Sequence, residues 1–138
     1  MGHALSTGSP LKGSVEVSRE RVELGRRGEA LAIGELKKLG YKIVETNYRC
    51  GLGEIDLIAR EGKSLVFVEI KTRRYKSLGY AKEAVHPRKQ RQISKVALTY
   101  MKQNRLESTK ARFDVVAVSL TSEGPKIEVI KNAFDLAY

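Results

Sequence analysis

Apolar positions at Leu24, Gly28, Leu31, Ala32, Leu36 and Leu39 recur at a spacing near 3.6 residues. That period predicts an amphipathic helix from about Ser18 to Leu39. Gly40 supplies a stop, because glycine readily takes the left-handed conformation that ends many helices. Ser18 followed by Arg21 lacks the acid of a capping box, so the start carries no clear local signal. Residues Met1 to Val17 show no period and carry Gly, Ser and Pro. They read as a flexible N-terminal tail, which leaves 18–138 as a single domain.

The period then shortens to two. Tyr41–Arg49 alternates and is rich in aromatic and β-branched residues, Glu54–Arg60 follows, and Ser64–Thr72 comes third. Gly51-Leu52-Gly53 and Glu61-Gly62-Lys63 are the turns between these three predicted strands. The run Leu65-Val66-Phe67-Val68-Glu69-Ile70 is apolar on both faces, as befits a strand covered on both sides. Beyond a basic stretch, Pro87 marks a second helix start. Ile93, Val96, Ala97, Tyr100 and Met101 then fall on one helical face, to about Asn104. Phe113–Leu120 is a further apolar strand and Lys126–Ile130 an edge strand. The order α-β-β-β-α-β-β is that of one mixed α/β domain, without repeats or linker.

Composition narrows the class. With 138 residues, 41% hydrophobic and 30% charged, the chain can bury a core without disulfides or a structural metal. One cysteine, Cys50, excludes an intramolecular disulfide and any multi-cysteine zinc site, and fits a reducing compartment. No run approaches the roughly 18 apolar residues of a membrane span. The first residues lack the apolar block of a secretory signal. A cytoplasmic protein is the expectation.

Charge points to a partner. Lys71 to Arg105 holds eleven basic residues and one acid, Glu83, so this segment carries the whole net charge of +10; the remainder holds fifteen of each sign. A neutral domain with one basic segment is suited to a polyanion. Nucleic acid comes first and an anionic surface second. Arg73, Arg74, Lys76, Lys82, Arg88, Lys89 and Arg91 are the binding charges, with the N-terminus of the second helix adding positive potential. Tyr75 and Tyr80, set among them, suit either stacking on unpaired bases or packing on the domain.

Three acids stand in apolar surroundings. Asp56 lies in Ile55-Asp56-Leu57-Ile58, Glu69 in Val68-Glu69-Ile70, and Glu29 beside a stripe with Ala32, Ile33 and Leu36. A buried carboxylate costs several kcal/mol unless paired or metal-bound. Alternation puts Glu69 and Lys71 on one face, and Glu54 and Asp56 on one face of the neighbouring strand. A hairpin about Gly62 sets Asp56 opposite Glu69. Two carboxylates and a lysine then converge, and Mg²⁺ is commonly held by one or two carboxylates. Such a cation polarises phosphoryl oxygens and activates water. These are the components of phosphodiester hydrolysis. The plainer alternatives are a Glu69–Lys71 ion pair with Asp56 satisfying a turn, and a Glu29–Arg26 pair on the helix.

Gly25-Arg26-Arg27-Gly28-Glu29-Ala30, Gly53-Glu54-Ile55-Asp56-Leu57-Ile58-Ala59 and Val66-Phe67-Val68-Glu69-Ile70-Lys71-Thr72-Arg73, in that order, resemble the YraN family of small bacterial proteins. That family is similar to the archaeal Holliday junction resolvases of the PD-(D/E)-x-K nuclease superfamily. The resemblance spans about Glu23 to Leu120. It implies a restriction-endonuclease-like mixed sheet flanked by helices. It implies Glu29, Asp56 and Glu69 as acids for Mg²⁺ or Mn²⁺, Lys71 as catalytic lysine and Gln90 as a fourth motif residue. Ile55 stands where the superfamily's name has proline. The function expected is an endonuclease for structured or branched DNA, with DNA preferred over RNA, no membrane partner and a homodimer as a candidate assembly. The alternative is a non-catalytic nucleic-acid-binding module on the same fold. His86 beside Pro87 reads as a helix-start residue, and Cys50 as a packing residue.

Overall fold

The computed structural model describes residues 8–74 and 85–136, with side chains from residue 18 onward. The elements are α1 (Gly8–Lys38), β1 (Lys42–Cys50), β2 (Gly53–Glu61), β3 (Ser64–Arg74), α2 (Pro87–Gln103), β4 (Ala111–Thr121) and β5 (Gly124–Phe134). Their order is the one the periodicity predicts. α1 begins ten residues ahead of the expected start near Ser18, where the sequence offers no capping signal. Lys76, Lys82, Tyr75 and Tyr80 lie outside the described residues.

One five-stranded sheet runs β1-β2-β3-β4-β5. Neighbours are antiparallel except β3 and β4, which are parallel and joined through α2. β3 is therefore the central strand, as its apolar run requires. Two clusters fill the two sides. Ala32 and Leu36 of α1 pack with Leu57, Val66, Val68, Val116 and Val118. Ile93, Val96, Ala97, Tyr100 and Met101 of α2 pack with Ile55, Ile58, Phe67, Phe113 and Val115.

Local chemistry fixes the ends. Gly40, at φ 95°, closes α1: Tyr41 N–H donates to the Leu36 carbonyl at 2.9 Å and Gly40 N–H to Lys37 at 3.0 Å. That pair of bonds is a Schellman cap. It places Leu39 past the helix, where it is exposed rather than part of the apolar stripe. His86 caps α2, its Nδ1 accepting from Arg88 N–H at 3.1 Å, with Pro87 in the first turn. The β2–β3 hairpin closes through Gly62 at φ 60°, the positive angle that a two-residue turn needs at its first central position.

Candidate functional site

Register comes first. Thr46 faces Leu57 and Tyr48 faces Ile55, so Asn47 stands across from Asp56. Leu57 faces Val68, and one step further the same register sets Asp56 across from Glu69. Asn47, Asp56 and Glu69 thus form one row over three strands. The β2–β3 ladder ends at Leu57 and Val68, immediately before that row.

β2 does not keep strict alternation here. Ile55 belongs to the cluster beneath α2, yet Leu57 belongs to the cluster beneath α1. The strand rolls over at Asp56. Its carboxylate enters the gap at the end of the ladder, where Oδ2 accepts from the Ile70 N–H at 2.8 Å. Asp56 also lines a cleft of about 420 Å³ on the α1 side, with Glu29, Ile70 and Thr72. Glu69 is on the other side: its Oε2 is 3.7 Å from Lys71 Nζ and 4.0 Å from Lys89 Nζ, the latter on α2. The two acids meet at the end of the ladder rather than through a shared face. Glu54 takes no part; it pairs with Arg49 at 2.6 Å.

Electrostatics follow from that placement. Glu69 is buried. Burial pushes its carboxyl up to about 7, and the charge of Asp56 and a hydrogen bond with it add to the rise; Lys89 and Lys71 oppose it. The two lysines offset only part of the rise at Glu69. A divalent cation suits that deficit, because hard carboxylate oxygens are the ligands Mg²⁺ and Mn²⁺ prefer. Asp56 and Glu69 are the residues that could hold such a cation, and Glu29 lines the same cleft as Asp56. Among the described residues, no three His, Cys, Asp or Glu side chains are drawn together closely enough to form a ready-made metal cage.

Glu29 is delivered by a close helix–sheet approach. Gly28 packs on Thr72, whose Oγ1 would lie 1.8 Å from a Cβ at that position. Glu29, one residue on, is half-buried and accepts from Asn47 Nδ2 at 3.3 and 3.5 Å. Asn47 itself adopts φ 52°, a left-handed conformation that asparagine tolerates better than most residues. Arg26 pairs with Glu23 instead of Glu29. Of the two readings of Glu29, contact with the sheet prevails.

The remaining expected residues spread around this centre. Gln90, in the first turn of α2, donates its amide to the Val85 carbonyl at 2.8 Å. Arg73 is half-buried and Arg74 exposed at the end of β3, while Arg88 and Arg91 are exposed on α2. Lys89, expected among the phosphate contacts, turns toward Glu69. Cys50 is a free thiol packed against the α2 cluster.

One acid escaped the sequence reading. Asp114 is fully buried, between Phe113 and Val115. It accepts from Tyr41 Oη at 2.7 Å, Arg112 Nε at 2.9 Å and Asn132 N–H at 3.0 Å. Arg112 and Lys131 continue the network to Glu61. Burial and then Asp114 hold the Tyr41 phenol well above its ordinary range. The pattern that singled out Asp56, an acid inside an apolar strand, also describes Asp114. Its own partners satisfy it, so it ties the α1–β1 turn, β2, β4 and β5 together and leaves no demand for a ligand.

The profile of the uncharacterised protein family UPF0102 matches residues 28–118. The chain is 53% identical over 119 residues to a UPF0102 protein of Syntrophus aciditrophicus, covering 86% of this chain and 94% of the relative. It is 51% identical over 124 residues to one from Geotalea daltonii, covering 89% and 98%. A relative from Caldicellulosiruptor saccharolyticus is 46% identical over 114 residues, covering 81% and 97%. The matched region contains Glu29, Asp56, Glu69, Lys71 and Gln90, so the row and its neighbours lie inside the shared domain.

Proposed function

The chain belongs to the UPF0102 family, and we propose that it is a metal-dependent endonuclease acting on structured or branched DNA. One observation carries this reading. Asp56 and Glu69 meet at the end of the β2–β3 ladder, with Lys71 3.7 Å from Glu69 and Glu29 on the cleft that Asp56 lines. Acids needed only for folding are satisfied as Asp114 is. Glu69 instead has Asp56 adding to the cost of its ionisation, which a functional cation would relieve.

When bound, Mg²⁺ or Mn²⁺ supplies positive charge at the phosphate and lowers the pKa of adjacent water. Asp56 and Glu69 would hold it, and Glu29 would complete the set. Lys71 is placed to donate to a phosphate oxygen and to stabilise the charge that develops in the pentacovalent transition state. Lys89 neutralises part of the Glu69 charge before a cation arrives. Arg73, Arg74, Arg88 and Arg91 hold the backbone of the strand, contacts that position nucleic acid and read little sequence. Among the described residues no helix is long and apolar enough to cross a membrane, and a cytoplasmic site of action on DNA rather than RNA is part of the proposal.

A second reading has its own support: the acids do not form a ready-made cage, and Asn47 already occupies Glu29. That favours a binding module that does not cut. Calorimetric titration with Mn²⁺ and cleavage of single-stranded, duplex, flap and four-way substrates separate the two. The nuclease reading expects metal binding and cleavage that both vanish in Asp56→Asn and Glu69→Gln, while nucleic-acid binding without metal persists. Nucleic-acid binding with no metal heat and no cleavage establishes the binding module.

A further inference from the structure

The cleft on the α1 side is not accounted for by the basic segment. Arg21, Val22, Leu24, Gly25, Arg26 and Glu29 form one wall, and Asp56, Ile70 and Thr72 the other. Lys71, Lys89 and α2 lie on the opposite side of the sheet. Outside Lys71–Arg105 the chain holds fifteen basic and fifteen acidic residues, so net charge alone does not single out the arginines of α1.

We propose that this cleft receives one unpaired nucleotide of the strand being cut. The lining is divided as a nucleotide is divided. Arg21 and Arg26 supply guanidinium groups for phosphate, while Val22, Leu24 and Ile70 supply an apolar surface for a base or sugar. Val22 is 52% exposed, so this surface is open to a ligand. The end of the cleft is formed by Glu29 and Asp56, which makes it continuous with the acids assigned to the chemistry. A volume of about 420 Å³ falls within the range that encloses one small-molecule-sized unit. It does not admit base-paired nucleic acid.

This inference rests on the nuclease reading for its place in the reaction and sharpens the substrate class. The strand must be unpaired beside the scissile phosphate, as at a flap, a fork or a branch. Uninterrupted duplex is bound by the α2-side charges but does not fill the cleft.

The structure supplies a test that leaves those charges untouched. Gly25 lines the cleft and nothing lies within 4 Å of a Cβ built there. Gly25→Leu therefore adds apolar bulk to the cleft wall with no neighbour near its Cβ, and leucine favours a helix interior over glycine. The second variant, Arg21→Ala with Arg26→Ala, changes only exposed side chains. Fluorescence anisotropy in EDTA, with labelled oligothymidylate and labelled duplex, measures binding without cleavage. Both variants are expected to weaken oligothymidylate binding about tenfold, the scale of one lost base contact, and to leave duplex binding within about twofold. Equal losses on both probes, or no loss on either, overturn the proposal. Competition by free thymidine monophosphate as strongly as by the oligomer also overturns it, assigning the cleft to a free nucleotide. Because no step of the assay requires metal or turnover, failure of the nuclease reading leaves these outcomes legible.

Discussion

Gly28 lies so close to Thr72 that a Cβ on the glycine would sit 1.8 Å from the threonine Oγ1. The absence of one methyl group sets how near α1 comes to β3, and Glu29 is the next residue along. Gly28→Ala should therefore destabilise the fold by ~1–3 kcal/mol through overpacking, despite alanine's better helix propensity. It should also move Glu29 and weaken Mn²⁺ binding. Urea denaturation and calorimetry check both, and adding Thr72→Ala should recover part of the lost stability, since the two sites are in contact.

Glu69 makes stability depend on pH in a definite direction. Its carboxyl is raised from an ordinary 4.5 to about 7, so between those values the folded protein binds more protons than the unfolded chain. Ionising this acid thus costs stability, nothing below about pH 4.5 and the full amount above about pH 7. Glu69→Gln cannot ionise. In EDTA it should be more stable than the wild type by on the order of 1–3 kcal/mol at pH 8, with the gap closing at pH 4.5. An unchanged gap between the two pH values would show that burial of Glu69 is compensated.

Replacing Asp114 should destabilise the fold. Its carboxylate is fully buried and held by Tyr41, Arg112 and Asn132. Asp114→Ala takes one of its two acids from Arg112 and the acceptor from Tyr41 and Asn132, and should cost ~3–5 kcal/mol, whereas Tyr41→Phe removes one hydrogen bond to a charged group and should cost ~1.5–3 kcal/mol. Urea midpoints at pH 7 measure both. A mild Asp114→Ala would mean that Arg112 re-pairs fully with Glu61.

The α2-side charges should act through phosphate. Arg88 and Arg91 are exposed on the first turns of α2. Replacing both with Ala should weaken duplex binding similarly across sequences. The slope of log affinity against log salt should flatten by about one to two, because each lost phosphate contact releases fewer counterions. Loss confined to one sequence, at constant slope, would instead assign them to base readout.

The linear chain was enough for the element order and for the row that pairs Asp56 with Glu69. Both depend on local signals: the change from a helical to a two-residue period, and Gly62, which fixes where the β2–β3 hairpin folds back. The buried character of β3 was legible for the same reason, since its run lacks alternation. Packing decided the rest. Alternation alone set Glu54 beside Asp56, but β2 rolls over at that residue because Ile55 is drawn under α2 and Leu57 under α1. Lys89 comes beside Glu69 only because α2 packs on that side of the sheet, and Glu29 shares a cleft with Asp56 only because Gly28 lets α1 touch Thr72. Asp114 finds Tyr41 73 positions away in the chain. Contacts of this kind join segments whose separation carries no periodic trace. They are set by how closely two surfaces pack, and that is a property of the folded volumes rather than of any window of sequence.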